Sequence, residues 1–366
     1  MAQTIIEGLS SSQQIDEILS KHGCKKFLLV CGSSFSKLDI SKYFLECKSE
    51  CVIFSDFKVN PLYEDATKGL EVFRKNNCDS IIAVGGGSAI DVAKCIKLFS
   101  SMNDSENYLK QEFCENDVLL VAVPTTAGTG SESTRYAVIY YGGEKQSVTH
   151  QSIIPSYAIL ESSTLVSLPL FQKKCTLLDA WCQAIEAYWS VNSTDESKVY
   201  SLTAIEKIVK NVDAYLLGDS VASSEIMLAS SQAGRAINIA QTTSAHAMSY
   251  NLTSNCSVPH GYAVAVCLPK IWRYMLNNTD KCVDKRGEQY LIEVFNVLAK
   301  TMGFDTPIQA VEFIEEKMNS WQMPTVSATK EEIESFVGSV NAIRLKNNPV
   351  ALSPQAIKEI YENVLL

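Results

Sequence analysis

Ser80-Ile81-Ile82-Ala83-Val84 runs straight into Gly85-Gly86-Gly87-Ser88 and then into a helical pattern from Ala89 to Phe99. The apolar run reads as a buried strand, and a strand, glycine turn and helix in succession present free backbone N–H groups and the positive end of a helix to a phosphate. Three glycines let an anion approach the backbone closely. Ser88 and Asp91 also fit a capping box, which starts helices that bind nothing. The spacing is not GxGxxG, so the turn alone leaves a nucleotide site undecided. Val123-Pro124-Thr125-Thr126-Ala127-Gly128-Thr129-Gly130-Ser131-Glu132 follows the next strand and again masses hydroxyls and glycines. Two such turns at the carboxyl ends of strands belong in the crevice where open α/β sheets bind ligands. A hydroxyl-rich loop can also be no more than a turn.

Outward from this stretch, the chain up to about residue 165 alternates β-rich runs (KKFLLVCG, ECVIFSDF, SIIAVGGG, VLLVAVPTT, TRYAVIYY) with helical patterns such as DATKGLEVFRKNN and AIDVAKCIKLF. That alternation predicts a parallel sheet flanked by helices. After Leu168-Pro169 the character changes. CTLLDAWCQAIEAYWS, SLTAIEKIVKNVDAYLL, EIMLASSQAGRAINIAQ, EQYLIEVFNVLAKTM and SPQAIKEIYENVLL repeat apolar residues at three and four spacing with almost no strand signal. The fold class read from the sequence is an α/β N-terminal domain, residues 1–168, followed by an all-α C-terminal domain, residues 169–366. No internal repeat, low-complexity segment or long charge run interrupts this division.

A chain of 366 residues, 46% hydrophobic, has enough apolar side chains for two domains with large cores. Its first thirty residues lack a basic region followed by an apolar one, and no apolar stretch reaches the roughly 20 residues that span a bilayer. The expectation is therefore a cytoplasmic protein with no membrane partner. Twelve cysteines are about 3% of the chain, well under the roughly 8–10% of disulfide frameworks. The spacings of Cys24 and Cys31, Cys47 and Cys51, Cys175 and Cys182, and Cys256 and Cys267 suit neither a zinc knuckle nor a CxxC motif. They read as reduced core residues. A net charge of −9 argues against a nucleic-acid partner and leaves a small molecule as the expectation.

Four histidines are available as ligands. His22 lies in a polar segment before the first predicted strand and reads as surface, and His150 as satisfying local hydrogen bonds. His246 follows the helical run AGRAINIAQTTSA, and His260 sits in a Pro-His-Gly turn. Each alone reads more readily as structural. Asp179 lies on the helix TLLDAWCQAIEAYW, with Gln183 one turn later on the same face. An Asp and two His would give a divalent metal three protein ligands and leave a position open, as a catalytic site requires.

With GGGSAIDVAK (85 to 94), PTTAGTGSE (124 to 132), DAWCQAIEAY (179 to 188), HAMSY (246 to 250), PHG (259 to 261) and NNP (347 to 349) in order, the chain resembles the iron-containing, or group III, alcohol dehydrogenases from about Phe27 onward. The resemblance implies a dinucleotide-binding α/β domain, a helical metal domain, a catalytic cleft between them, and a homodimer or larger assembly. It carries the family's metal ligands over to Asp179, His246 and His260, with Fe2+ or Zn2+ as the metal. Gln183 stands where a fourth ligand is usually His, and Tyr250 where a second His lies near the site. Gln offers a neutral amide oxygen, a poorer ligand than imidazole for a first-row metal. Glycerol dehydrogenases resemble this chain in using one Asp and two His, so Gln183 weakens the case for iron more than the case for a metal.

For the cofactor, the resemblance implies contacts from Gly85, Gly86, Gly87, Ser88, Asp91, Thr125, Thr126, Thr129, Ser131 and Lys145. NAD-preferring relatives carry an Asp just after the first strand of the domain; here the position is Gly32, followed by Ser33 and Ser34. With no carboxylate to repel a 2′-phosphate, NADP(H) is favoured over NAD(H), and Lys37 is placed to pair with that phosphate. The expected chemistry is hydride transfer between the nicotinamide and a carbonyl carbon, with the final proton from Tyr250 or a water relay. The pocket is expected to include Tyr136 and Ile237. Arg344 and Lys346 make a late segment basic, and Arg235 lies on the helix leading to His246, about 16 Å away along its axis at 1.5 Å per residue. Cations there favour an anionic substrate; the same charges can equally be surface or interdomain features. The resemblance points to the phosphonoacetaldehyde reductase branch, with succinate semialdehyde or an uncharged primary alcohol as alternatives. Two readings from other classes remain. A dehydroquinate-synthase-like lyase would regenerate its cofactor within one turnover, and a non-catalytic binding protein would hold little metal.

Overall fold

Val, Ile and Leu crowd the runs at 26–31, 80–85 and 119–124 because a parallel sheet is covered on both faces. In the computed structural model, which describes residues 3–366, these runs join β1 (Thr4–Glu7), β2 (Lys26–Cys31), β3 (Glu50–Phe54), β4 (Ser80–Gly85), β5 (Leu119–Pro124), β6 (Tyr136–Tyr141), β7 (Glu144–Thr149) and β8 (Tyr157–Leu160). Six of these strands form one parallel sheet in the order β1-β8-β5-β4-β2-β3. Side chains alternate between its faces. Phe27, Leu29, Cys31, Ile82 and Val84 meet α1 (Ser12–Lys21) and α2 (Ser41–Leu45) on one face. Leu28, Val30, Ile81, Ala83 and Leu120 meet α3 (Tyr63–Lys75) and α4 (Gly87–Phe99) on the other.

From β2 the chain steps outward to β3, returns to the far side of β2 for β4, and continues through β5 to β8. The strand order thus reverses between β2 and β4. The loops that leave their carboxyl ends begin with Gly32-Ser33-Ser34 and Gly85-Gly86-Gly87, which puts both beside the switch point where such sheets bind ligands.

The run TRYAVIYY departs from the sequence expectation. It is a strand, but β6 pairs antiparallel with β7 in a separate two-stranded hairpin. Gly142 and Gly143, at φ of 60° and 82°, supply the two left-handed residues that a tight hairpin turn requires. The sheet is completed instead by the four-residue strands β1 and β8, too short to stand out as patterns.

The remaining helices are α5 (Leu170–Trp189), α6 (Asp195–Leu216), α7 (Ser220–Ala240), α8 (Ser244–Asn255), α9 (His260–Leu276), α10 (Glu288–Thr301), α11 (Pro307–Ser320), α12 (Lys330–Ser339), α13 (Ala342–Leu345) and α14 (Pro354–Leu365). The chain divides into two units: one is the chain through Pro169 with Leu217–Ser231, the other is Leu170–Leu216 with Gln232–Leu366. Leu217–Ser231 therefore counts with the sheet although it lies in the helical half of the sequence. In the second unit, α5 packs on α6 and α9, and α8 on α9. Fully buried Trp189, Trp272 and Phe295 meet there edge to face or tilted. All twelve cysteines are free thiols, six of them buried. No helix among the described residues is long and apolar enough to cross a membrane.

Candidate metal and dinucleotide sites

On α5, Asp179, Gln183 and Glu186 recur at i, i+4 and i+7 and so share one face. The sequence from Arg235 to His246 reads as one helix, but the chain breaks between them. Gln241 adopts a left-handed φ of 61°, α7 ends at Ala240, and His246 sits in the first turn of α8. The distance along a single helix axis therefore does not apply to Arg235. His260 opens α9 immediately after Pro259. It reaches the α5 face because its neighbour is glycine. A Cβ on residue 261 would lie 2.1 Å from the Cys175 carbonyl oxygen and 2.6 Å from Asp179 Cβ.

The ligand atoms of Asp179, His246 and His260 lie within 4.8 Å of one another. Asp179 and His246 are 3% and 4% exposed, whereas His260 is half-buried, so the cluster is open on one side. Asp179 Oδ1 and His246 Nε2 stand 3.4 Å apart, both buried and neither in a hydrogen bond. Buried polar atoms left this way are costly, and a cation between them would satisfy both. One carboxylate oxygen and two imidazoles suit Fe2+ or Zn2+. Gln183 donates to the Asp179 carboxylate, and the Tyr250 ring lies nearly parallel to His260 at 6.0 Å.

Burial pushes the Asp179 carboxyl up, but His246, His260 and Gln183 together outweigh it and hold the group below its ordinary range. At His246 burial disfavours the proton, yet Glu186 and Asp179 raise the imidazole to about 10. Glu186 was missed by the sequence reading. It is fully buried, and its Oε2 pairs with His246 Nδ1. Its signal was an acidic residue on the Asp179 face of a strongly apolar helix.

In the sheet unit, α4 starts with Gly86 as its N-cap, and no capping box forms. Asp91 is drawn elsewhere: its oxygens accept from Ser131 Oγ at 2.6 Å and from the Val138 N–H at 3.0 Å. The fully buried Lys94 donates to Ser131 Oγ, Thr134 Oγ1 and the carbonyls of Thr134 and Tyr136 at 2.7–3.2 Å. Burial lowers this ammonium to about 8. Asp91 and Lys94 thus tie α4 to the hydroxyl-rich loop and to β6, and the Thr125 N–H donates to the Gly85 carbonyl. A Cβ on Gly87 would come within 3.0 Å of Thr129, and one on Gly86 within 3.4 Å of Thr126. The two loops therefore form one cradle. Ser88 is partly exposed at its rim, and Lys145 on β7 acts electrostatically on Asp91. Ser33, Ser34 and Lys37 are exposed after β2, and a Cβ on Gly32 would meet nothing within 4 Å.

Other predicted residues are dispersed. The Arg235 guanidinium lies over the Tyr200 ring at 5.6 Å, and Ile237 packs with Ala187, Ala236 and Ala240. Tyr136 lies on β6, where its hydroxyl accepts from Arg135. Arg344, half-buried, belongs to α13, which packs on α8, the helix of His246 and Tyr250; Lys346 is exposed. Buried Asn347 and Asn348 fix this segment, bonding Thr242 and Ser244. Exposed His22 bonds Tyr157, and His150 bonds Ser152 locally.

Residues 2–162 match the family model for iron-containing alcohol dehydrogenase, and residues 174–365 match that for the C-terminal part of the Fe-containing alcohol dehydrogenase family. Probable alcohol dehydrogenase EutG of Escherichia coli (strain K12) is 36% identical over 223 residues, 58% of this chain and only 56% of that one. Phosphonoacetaldehyde reductase of Streptomyces viridochromogenes is 31% identical over 301 residues, 78% of this chain and 75% of that one. The crystal structure of sulfoacetaldehyde reductase from Bifidobacterium kashiwanohense in complex with NAD+ superposes with a TM-score of 0.89 at 25% identity, covering 99% of this chain and 96% of that one.

Proposed function

The chain belongs to the iron-containing alcohol dehydrogenase family and is an oxidoreductase of the alcohol dehydrogenase and aldehyde reductase type, and from this premise we propose that it reduces a small anionic aldehyde, with phosphonoacetaldehyde the first choice. The observation that carries the anionic reading is Arg344, on the short helix packed against the His246 and Tyr250 helix. Two of the relatives support it, since their named substrates are aldehydes with a phosphonate or a sulfonate head.

In this reading Asp179, His246 and His260 hold a divalent cation, Fe2+ or Zn2+. A cation held there would supply Lewis-acid stabilisation of the negative charge that develops on the substrate oxygen, more than of the ground-state carbonyl. Gln183 orients Asp179 rather than acting as a fourth ligand. Tyr250 or a water delivers the final proton, and Arg344 holds the anionic head. The cradle of Gly85, Gly86, Gly87, Thr126 and Thr129 receives the dinucleotide pyrophosphate. Gly32 leaves no carboxylate beside the adenosine ribose, which favours NADPH, with Lys37 as partner to its 2′-phosphate.

An absorbance assay at the nicotinamide band tests this, using phosphonoacetaldehyde, succinate semialdehyde and an uncharged aldehyde of similar length, each with NADPH and NADH. The expected result is a kcat/KM at least about tenfold higher for the anionic aldehydes, as one charge-assisted contact supplies. Equal values would remove the anionic reading, and an NADH preference would remove the NADPH reading independently.

A further inference from the structure

We propose that Glu186 is a positioning residue that dictates the tautomer of His246 and thereby the metal affinity of the cluster; this rests on reading Asp179, His246 and His260 as ligands. Glu186 has no exposed surface. Its Oε1 accepts from the Thr243 hydroxyl at 2.7 Å, the Thr243 N–H at 3.1 Å and the Ala245 N–H at 2.9 Å. Thr243 in turn accepts from Trp189 Nε1 at 2.9 Å and makes no side-chain cap of its own. A carboxylate from α5 therefore caps α8. Anions suit that position, because the first N–H groups of a helix lack partners and carry its positive end.

With Oε1 engaged by these donors, Oε2 faces His246 Nδ1. A carboxylate only accepts, so Nδ1 keeps a proton, and Nε2, 3.4 Å from Asp179 Oδ1, is the nitrogen left to give up its proton and offer a lone pair to a cation. Such outer partners fix ring orientation and raise ligand basicity. Glu186→Gln nearly preserves shape and inverts the pairing. Its oxygen must stay with the Thr243 and Ala245 donors, so its amide nitrogen donates to Nδ1 and the ring proton moves to Nε2, the ligating atom.

The test is Zn2+ affinity by chelator competition on full-length wild type and Glu186→Gln, with NADPH affinity measured in parallel. We expect Zn2+ affinity to fall about 10- to 100-fold, with circular dichroism and NADPH affinity unchanged. Long-range 15N–1H spectra of the Zn2+-loaded wild type should show His246 protonated at Nδ1. Equal Zn2+ affinity in the variant overturns the role of Glu186 while leaving the ligand reading intact. A wild type that takes up no Zn2+ overturns both. Should Glu186→Gln fail to fold, Thr243→Val removes one donor to Oε1 and keeps the carboxylate; several-fold weaker Zn2+ binding is then expected, and unchanged binding overturns the proposal.

Discussion

At residue 261 the nearest obstacle to a side chain is backbone, the Cys175 carbonyl oxygen, with the Asp179 amide nitrogen at 2.9 Å. Backbone cannot swing aside as a flexible side chain does. Gly261→Ala must therefore push α9 away from α5, carrying His260 from Asp179. Overpacking of this kind costs about 1–3 kcal/mol, so the denaturant midpoint should fall along with the metal content of purified protein. An unchanged metal content would show that the cluster tolerates the shift. His260→Ala makes the complementary prediction. It removes the half-buried ligand without crowding, so metal content and turnover should drop by orders of magnitude while circular dichroism stays nearly native. Full activity after chelator treatment would dismiss the metal mechanism. Gly32 is the opposite case, since a Cβ there meets nothing. Gly32→Asp should fold normally and lower the NADPH to NADH preference by placing a carboxylate where the 2′-phosphate is proposed to lie.

Among the elements, α4 and the hydroxyl-rich loop act together because Asp91 and Lys94 bind both. Gly87→Val would direct a branched side chain at Thr129 and fill the cradle between them. The Michaelis constant for the dinucleotide should rise by tenfold or more (about 1.4 kcal/mol per decade), with kcat at saturation changing far less. A parallel loss of kcat would mean that the turn shapes more than the cofactor site. The strands of this unit were legible because apolar runs bounded by glycine have few alternatives. Which sheet a strand joins was not: TRYAVIYY has a sound β pattern, and only the glycine turn at 142–143 sends it into a hairpin. The Ser88 and Asp91 pattern misled for a related reason. A carboxylate in the first turn of a helix can cap locally or reach outward, and Asp91 finds Ser131 forty residues away. Glu186 escaped notice because its partners lie 57 to 60 residues along the chain, beyond a break after α7 marked only by the left-handed Gln241. Asp179, His246 and His260 could be paired from sequence only through the family resemblance; spacing alone does not bring three helices together.

On the scale of the whole molecule, the formal charge is −9, and an anionic aldehyde approaching it meets a field that is repulsive on average. A local cation must reverse that field within the roughly 8 Å over which charges act at physiological salt. Arg344 is the cation we propose for this, on the short helix that packs against α8. The segment that carries it is fixed by buried Asn347 and Asn348, which bond the turn just before His246 through Thr242 and Ser244. Lys346 is exposed, and Arg235 lies over Tyr200. Arg344→Ala should therefore remove a charge-assisted contact worth roughly 1.5–3 kcal/mol, about ten- to a hundredfold in kcat/KM for phosphonoacetaldehyde. An uncharged aldehyde of similar length never makes that contact, so its kcat/KM should stay nearly constant. Added salt should lower the wild-type value for the anionic substrate and leave that of the variant flatter, since the attraction being screened is gone. The uncharged substrate also controls for damage to α13 and its packing on α8. If both aldehydes lost activity in parallel, Arg344 would be holding the helix rather than the substrate, and the preference for an anion would have to come from another cation.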